Sequence, residues 1–281
     1  MKTYFECFPC FLEQALRACR FMELDSEKTR RVINAVAEMI PSVPSENSPP
    51  ETGRLVYGII SEVSGNPDPF RQVKDKNTKG ALKLYPEMKK MLDNAEDRLA
   101  AAIRIAAAGN VIDCGVKEPY AVEEEVGRIL ENRFAMFDLE AFRQGVEITE
   151  RILYIGDNAG ECVFDRVLIE ELEKPVTYVV REKPVINDAT VEDAKAAGID
   201  KVAQIVSSGT DAPGTVLSTC SKQFLEMLER PFLKISKGQG NYEALSGQID
   251  GIFFLLKAKC DVVAHDLEVP KGQMIFTGLP G

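Results

Sequence analysis

The sequence predicts an α/β fold: a Rossmann-like, mostly parallel sheet with helices on both faces, preceded by an all-helical N-terminal domain. Three observations carry this. Up to about residue 148 the apolar residues recur at helical spacing. Beyond residue 150, short β-branched runs alternate with helical stretches, the rhythm of a parallel sheet covered on both faces. The length of 281 residues exceeds one typical domain. The expected division is a helical domain at 1–148 and an α/β domain at 149–281.

The elements follow in order. Phe8, Leu12, Ala15, Leu16 and Cys19 mark a first helix. Asp25 or Ser26 caps a second, with Val32, Ile33, Val36 and Ile40 on one face. Pro41 to Pro44 and the pair Pro49-Pro50 break the chain. A helix over 51–64 ends in the loop from Gly65 to Pro69. Long helical patterns fill 71–109 and stop at Gly109-Asn110. Two short helices are expected between Ala121 and Ile148, with a break near Phe137 to Leu139. Strands are expected at 151–156, 176–180, 202–206, 232–235 and 251–256, and an edge strand at 273–277. Helices near 161–173, 189–198, 214–229 and 241–247 separate the first five.

Composition narrows the function classes. A net charge of −10 disfavours non-specific binding to nucleic acid or an anionic membrane. No apolar run approaches the roughly 18 residues that span a bilayer. Seven Cys at irregular spacing in a chain of this size read as reduced thiols and a cytoplasmic location. A single histidine, His265, makes His-based triads and His-rich zinc sites poor hypotheses, and is itself read as structural or solvated. Cys7 and Cys10 have CxxC spacing, with Cys19 as a conceivable third ligand. Small helix residues, a redox pair and a metal site all remain open for them.

The chemistry-bearing residues cluster just after the expected strands. ILYIGDNAGE (152–161) reads as strand, tight turn and helix start, with Asp157 and Asn158 at the turn. Asn187-Asp188 follows the second strand, Ser207 to Asp211 the third, Ser236 to Asn241 the fourth, and Lys257, Lys259 and Asp261 the fifth. In a parallel sheet these ends converge on one edge, where ligands bind. Carboxylates, amide oxygens and lysines gathered there suit a divalent cation and a phosphate. Each piece also has a plainer reading: turn chemistry for Asp157-Asn158, a helix cap for Asn187-Asp188, a capped loop for Ser207 to Thr210, and a solvated strand end for Lys257 and Lys259.

Taken together, GDNAGE (156–161), Asn187 to Thr190, SSGTDAPG (207–214) and SKGQGNYE (236–243) resemble the damage-control phosphatase family, also known as domain of unknown function 89. SGNPDPFRQVKDKNT (64–78) and AAAGNVIDCGV (106–116) look like its helical-domain signatures, and the N-terminal CxxC is similar to its compact stand-alone prokaryotic branch. The resemblance implies a metal-dependent phosphatase acting on a small phosphorylated metabolite. It places the cation, Mn²⁺ or Mg²⁺ with Co²⁺ or Ni²⁺ as further candidates, on Asp157, Asn158 and Asp188, with Asp193 the other choice for the third ligand. It gives Asp157 and Lys237 catalytic roles, and the substrate contacts Asn110, Ser207, Ser208, Gly209, Lys237 and Gly238. The nucleophile is then either an activated water or Asp157 itself. Lys74, Asn77 and Asn110 are expected to shape specificity from the helical half. Two rivals stand beside this reading. One is a nucleotide- or S-adenosylmethionine-dependent transferase, although GxGxxG and Walker sequences are absent. The other is a non-catalytic metabolite-binding protein. The oligomeric state is open.

Overall fold

A computed structural model describes residues 1–110 and 134–279. Five helices come first: α1 (Cys7–Phe21), α2 (Ser26–Met39), α3 (Pro49–Ser64), α4 (Arg71–Asp93) and α5 (Arg98–Ala108). Asp25 caps α2 by accepting from Lys28 N, as the sequence suggests. Pro49-Pro50 does more than break the chain, since both prolines lie inside the first turn of α3. Proline fits there because the N–H groups of a first turn have no helical partner. Ser48 and Glu51 close a reciprocal capping box around the same turn. The long pattern over 71–109 splits at Asn94, and Asp97 caps α5.

The second half alternates as expected: β1 (Met136–Phe137), α6 (Leu139–Ile148), β2 (Ile152–Ile155), α7 (Glu161–Glu171), β3 (Val176–Val180), α8 (Val191–Ala196), β4 (Gln204–Ser207), α9 (Lys222–Leu228), β5 (Leu233–Lys237), α10 (Gln239–Leu245), β6 (Ile252–Lys257), α11 (Asp261–Asp266) and β7 (Met274–Leu279). Of the two helices expected between 121 and 148, the second is α6. The first falls mainly outside the described residues, and the break near Phe137 is strand β1.

The sheet has seven strands in the order β1-β7-β6-β5-β2-β3-β4. All neighbours are parallel except β6 and β7. The last strand is therefore not at the edge, as its position in the chain suggests, because β1 pairs outside it. Two further expectations change. The helix anticipated over 214–229 shortens to α9, because Pro213-Gly214 forms a tight loop in which a Cβ on Gly214 would stand 2.5 Å from Gly240 O. The strand anticipated from 202 starts at Gln204, because Val202 and Ala203 donate back to Ile199 O and close a 3₁₀ turn.

Strand residues alternate between two cores, as the pleat dictates. Ile152, Tyr154, Tyr178, Ile235, Leu255 and Phe276 face α4, α5 and α7. Leu153, Ile155, Val179, Phe254, Leu256 and Ile275 face α9, α10 and α11. Helices α1, α2 and α3 share a third core around Phe11, Val32, Val36 and Ile60. Among the described residues no helix is long and apolar enough to cross a membrane.

Lys74 of α4 joins the helical half to the sheet. Its side chain is buried and its ammonium donates to Asp193 Oδ2 at 3.0 Å and pairs with Asp68 Oδ2 at 2.9 Å. Lys74→Met leaves the buried Asp193 carboxylate with only the half-exposed Arg71, 3.7 Å from Oδ1, as a cation, and should cost about 3 kcal/mol, the lower end for breaking a buried pair. Urea denaturation should show that loss. A change within about 0.5 kcal/mol would place Lys74 among neutral surface positions instead.

Candidate active site

The turn after β2 is fixed by its backbone. Gly156 N donates to Val179 O, and a Cβ at Gly156 would stand 2.5 Å from the Tyr178 hydroxyl, so only glycine fits. Ala189 N donates to Asp157 O and Ala159 N to Asn187 O. These bonds form an antiparallel bridge between Asn158 and Asp188, outside the main strands. The bridge stitches the turn after β2 to the loop after β3. It brings Asp157, Asn158 and Asp188 side by side although 30 residues separate the two loops.

Arg181, directly after β3, knits the remaining loops. It is almost wholly buried. Nε donates to Asp188 Oδ2 at 2.8 Å, NH1 to Thr215 Oγ1 at 3.1 Å and NH2 to Asn241 Oδ1 at 3.0 Å. The Asn241 amide in turn donates to Gly156 O at 3.0 Å and Lys237 O at 2.8 Å. One guanidinium and one amide thus tie together the segments after β2, β3, β4 and β5.

Beside these loops lies a cavity of about 830 Å³. Asn110, Asp157, Asn158, Glu161 and Asp188 line it, together with Gln239, Gly240 and Lys259. The helical half supplies Gln14, Arg17, Phe21, Val73 and Asn77. Burial pushes the Asp157 carboxyl well above the usual carboxylate range, and the charges of Asp188 and Glu161 push it further, while Lys259 and Arg181 oppose the rise. Burial also raises Asp188, against the charge and hydrogen bond of Arg181. Among the residues that line the cavity, carboxylates outnumber cations: Asp157, Glu161, Asp188 and Glu243 stand with Arg17 and Lys259.

Asp157, Asn158, Asp188 and Asn110 come together as the sequence suggests, and Asn77 joins them on the wall. Asp193 does not. It caps α8 through Thr190 and pairs with Lys74, so both Asp193 and Lys74 are engaged in holding α8 to α4.

Lys237 differs from its expected place on a phosphate. It is fully buried behind the cavity, and its ammonium donates to Ala106 O at 3.0 Å, Glu161 Oε2 at 3.1 Å and Asp165 Oδ1 at 2.5 Å. Those contacts use all three of its hydrogens. Burial works against its charge, but Asp165 and Glu161 more than offset that and hold its pKa above the ordinary lysine value.

Gly238 cannot offer its N–H to an anion either, because that group donates to Leu255 O at 3.0 Å. Its part is steric: a Cβ there would lie 1.9 Å from Asp157 Oδ2. Ser207, Ser208 and Gly209 turn inward on themselves. Ser208 Oγ donates to Val180 O, Ser207 Oγ to Glu182 Oε2, and Gly209 N to Ser207 Oγ. None of the three lines the cavity.

The sequence assigns no site role to Glu161 or Arg181, and leaves Lys259 between the converging strand ends and a solvated one. Lys259 lines the cavity and acts on the charge of both Asp157 and Asp188. Cys7 and Cys10 also line the wall, near Cys260, whereas Cys19 is buried in the α1–α3 core and is not a third partner for them. Burial raises the Cys7 and Cys260 thiols. His265 is exposed on α11, in keeping with its expected solvated role.

The sequence pattern of the damage-control phosphatase ARMT1-like domain matches residues 3–275. The chain belongs to that family. A damage-control phosphatase of Pyrococcus horikoshii is 38% identical over 98% of this chain and 97% of its own. One from Archaeoglobus fulgidus is 35% identical over 78% of this chain and 79% of its own. The crystal structure of a DUF89 family protein from P. horikoshii superposes with a TM-score of 0.93 at 37% identity and covers 99% of both chains. The fold of this damage-control phosphatase family member is thus the fold of a solved relative.

The tight approach of Gly238 to Asp157 can be tested. Gly238 has φ +82° and ψ 159°, a region essentially confined to glycine, and an alanine there carries strain of about 1–3 kcal/mol. The clash with Asp157 adds to it. Gly238→Ala should therefore cost more in the wild-type background than in Asp157→Ala, where the obstructing carboxylate is gone. A double-mutant cycle read by urea denaturation measures the difference. Equal costs in both backgrounds would contradict the contact.

Proposed function

We propose that this cavity is the active site of a divalent-cation-dependent phosphatase that hydrolyses phosphate monoesters of small metabolites, sugar phosphates or related damaged phosphometabolites. The observation that carries the reading is the convergence of Asp157, Asn158, Glu161 and Asp188 in one cavity beside Lys259. The names of the relatives support the phosphatase half of it.

The residues fit a hard cation. The donors are carboxylate and amide oxygens, the set that suits Mg²⁺ and Mn²⁺. The mutual repulsion of Asp157 with Asp188 and Glu161 is a charge excess that a cation would relieve. Among the described residues no three His, Cys, Asp or Glu side chains are spaced to share one ion. A site here therefore draws on amide oxygens as well as carboxylates. Asp157, Asn158 and Asp188 would hold Mn²⁺ or Mg²⁺, with Co²⁺ or Ni²⁺ as further candidates. When bound, such a cation supplies positive charge to a phosphate oxygen.

The protein's own groups do the rest. Arg181 holds Asp188 in place through Nε, and the amides of Asn110 and Asn158 hold Asp157 Oδ2 at 3.2 and 3.1 Å. Lys259, on the cavity wall, would neutralise the outer phosphate oxygens as charge shifts toward the leaving group. Lys237 serves from behind by fixing Glu161. The helical half closes over the organic part of the substrate with Arg17, Phe21 and Asn77.

Chelator-treated protein should release no phosphate from p-nitrophenyl phosphate or sugar phosphates, and Mn²⁺ or Mg²⁺ should restore release. Lys259→Ala should lower kcat by on the order of 10²-fold, the loss of one preorganised charge, and Asp157→Ala should abolish turnover with the fold intact. Activity that survives chelation, or an Asp157→Ala protein that still turns over with metal, contradicts the proposal.

A further inference from the structure

Asn110 closes the turn after α5 with its N–H on Ala107 O. Its side chain is 8% exposed and lines the cavity beside Asp157. Nδ2 donates to Glu161 Oε1 at 2.7 Å and to Asp157 Oδ2 at 3.2 Å. Oδ1 is buried and has no hydrogen-bond partner among the described residues. A buried amide oxygen left unsatisfied keeps its full desolvation penalty, so a partner for it belongs to the working state of the site.

Asn158 is held in the same way. Its Nδ2 donates to Glu161 Oε1 at 2.6 Å and to Asp157 Oδ2 at 3.1 Å. Glu161 is thus the common acceptor of both amides. Its other oxygen accepts from Lys237 at 3.1 Å. A carboxylate only accepts, so the side of each amide that faces Glu161 must be its NH₂. The carbonyl oxygens are thereby turned away from Glu161. A neutral amide oxygen is also the donor such a site needs, since it adds a ligand without adding negative charge to a place already crowded with carboxylates.

We propose that Asn110 is a further oxygen ligand of the cation assigned to Asp157, Asn158 and Asp188, and that Glu161, anchored by Lys237, is the positioning residue that turns both amide oxygens toward it. The proposal rests on the metal-site reading above and deepens it. It gives Glu161 and Lys237 a defined task and gives the buried Asn110 Oδ1 its partner.

The test is Mn²⁺ binding to the chelator-treated full chain without substrate, followed by the electron paramagnetic resonance signal of free Mn²⁺. Wild type should bind and Asp157→Ala should not. Asn110→Ala should raise the Kd by about 10-fold or more, and Glu161→Gln, whose side chain no longer forces the amide orientation, by a similar factor, the range typical of groups that orient metal ligands. The double variant should lose less than the product of the two single effects, because Glu161 acts partly through Asn110. Circular dichroism with a cooperative melt checks the fold of each variant. If Asn110→Ala fails to fold, the isosteric Glu161→Gln carries the test alone. No Mn²⁺ binding by wild type overturns the metal-site reading itself. Binding that Asp157→Ala abolishes but Asn110→Ala or Glu161→Gln leaves at the wild-type Kd overturns this inference and leaves that reading standing.

Discussion

Four buried carboxylates, Asp157, Glu161, Asp165 and Asp188, meet at the carboxyl edge of one sheet with two buried cations, Arg181 and Lys237, set among them. A buried charge is tolerated only when it is paired and hydrogen-bonded. Here the pairing is divided. Lys237 and the hydroxyls of Tyr154 and Tyr178 take up Asp165 completely, at 2.5–2.7 Å. Arg181 takes one oxygen of Asp188. Among the described residues the Asp157 carboxylate accepts only from the amides of Asn110 and Asn158. The inner carboxylate is neutralised and the outer ones are left partly unmet, facing the cavity. This gradient from satisfied to unsatisfied charge is the physical basis of the cation site we propose at the edge of the sheet.

The fold makes that gradient rigid. Strands β2, β3 and β5 are buried along their whole length, and the turns that follow them are fixed by backbone bonds rather than by loop packing. Asn241 reaches back from α10 to the carbonyls of Gly156 and Lys237, so the turns after β2 and β5 cannot drift apart. Gly238 then allows the chain to pass Asp157 at a distance no other residue permits. The helical half, tied to the sheet through Lys74 and a shared core, roofs the site with α1 and α4.

Much of this was legible in the sequence. The change of rhythm near residue 150 announces the parallel strands from β2 onward, although β1 precedes it, and GDNAGE at a strand end points to the candidate site because apolar run, small turn and helix start follow in ten residues. Asp188 over Asp193 was harder, because the choice depends on the bridge between Asn158 and Asp188, a pairing of two loops that no local pattern encodes. Lys237 looked like a phosphate ligand, since a lysine beside two glycines at a strand end fits that role. Its burial is decided by Glu161 and Asp165, which lie four residues apart on one face of α7, and that spacing was the available signal. Lys259 is ambiguous in the sequence because a lysine past a strand end faces solvent or cavity according to the loop that follows. Strand β1 has two residues, too few to show alternation, and its pairing outside β7 displaced the expected edge.

The proposed cation site is one position, the space bounded by Asp157, Asn158 and Asp188. Crystals soaked in Mn²⁺ and inorganic phosphate, with diffraction recorded near the manganese edge, locate the ion directly. An anomalous peak within ligand distance, about 2.0–2.3 Å, of oxygens from Asp157, Asn158 and Asp188, with phosphate on the Lys259 side, is the expected result. A strong peak elsewhere in the molecule, with this position holding no manganese, would contradict it.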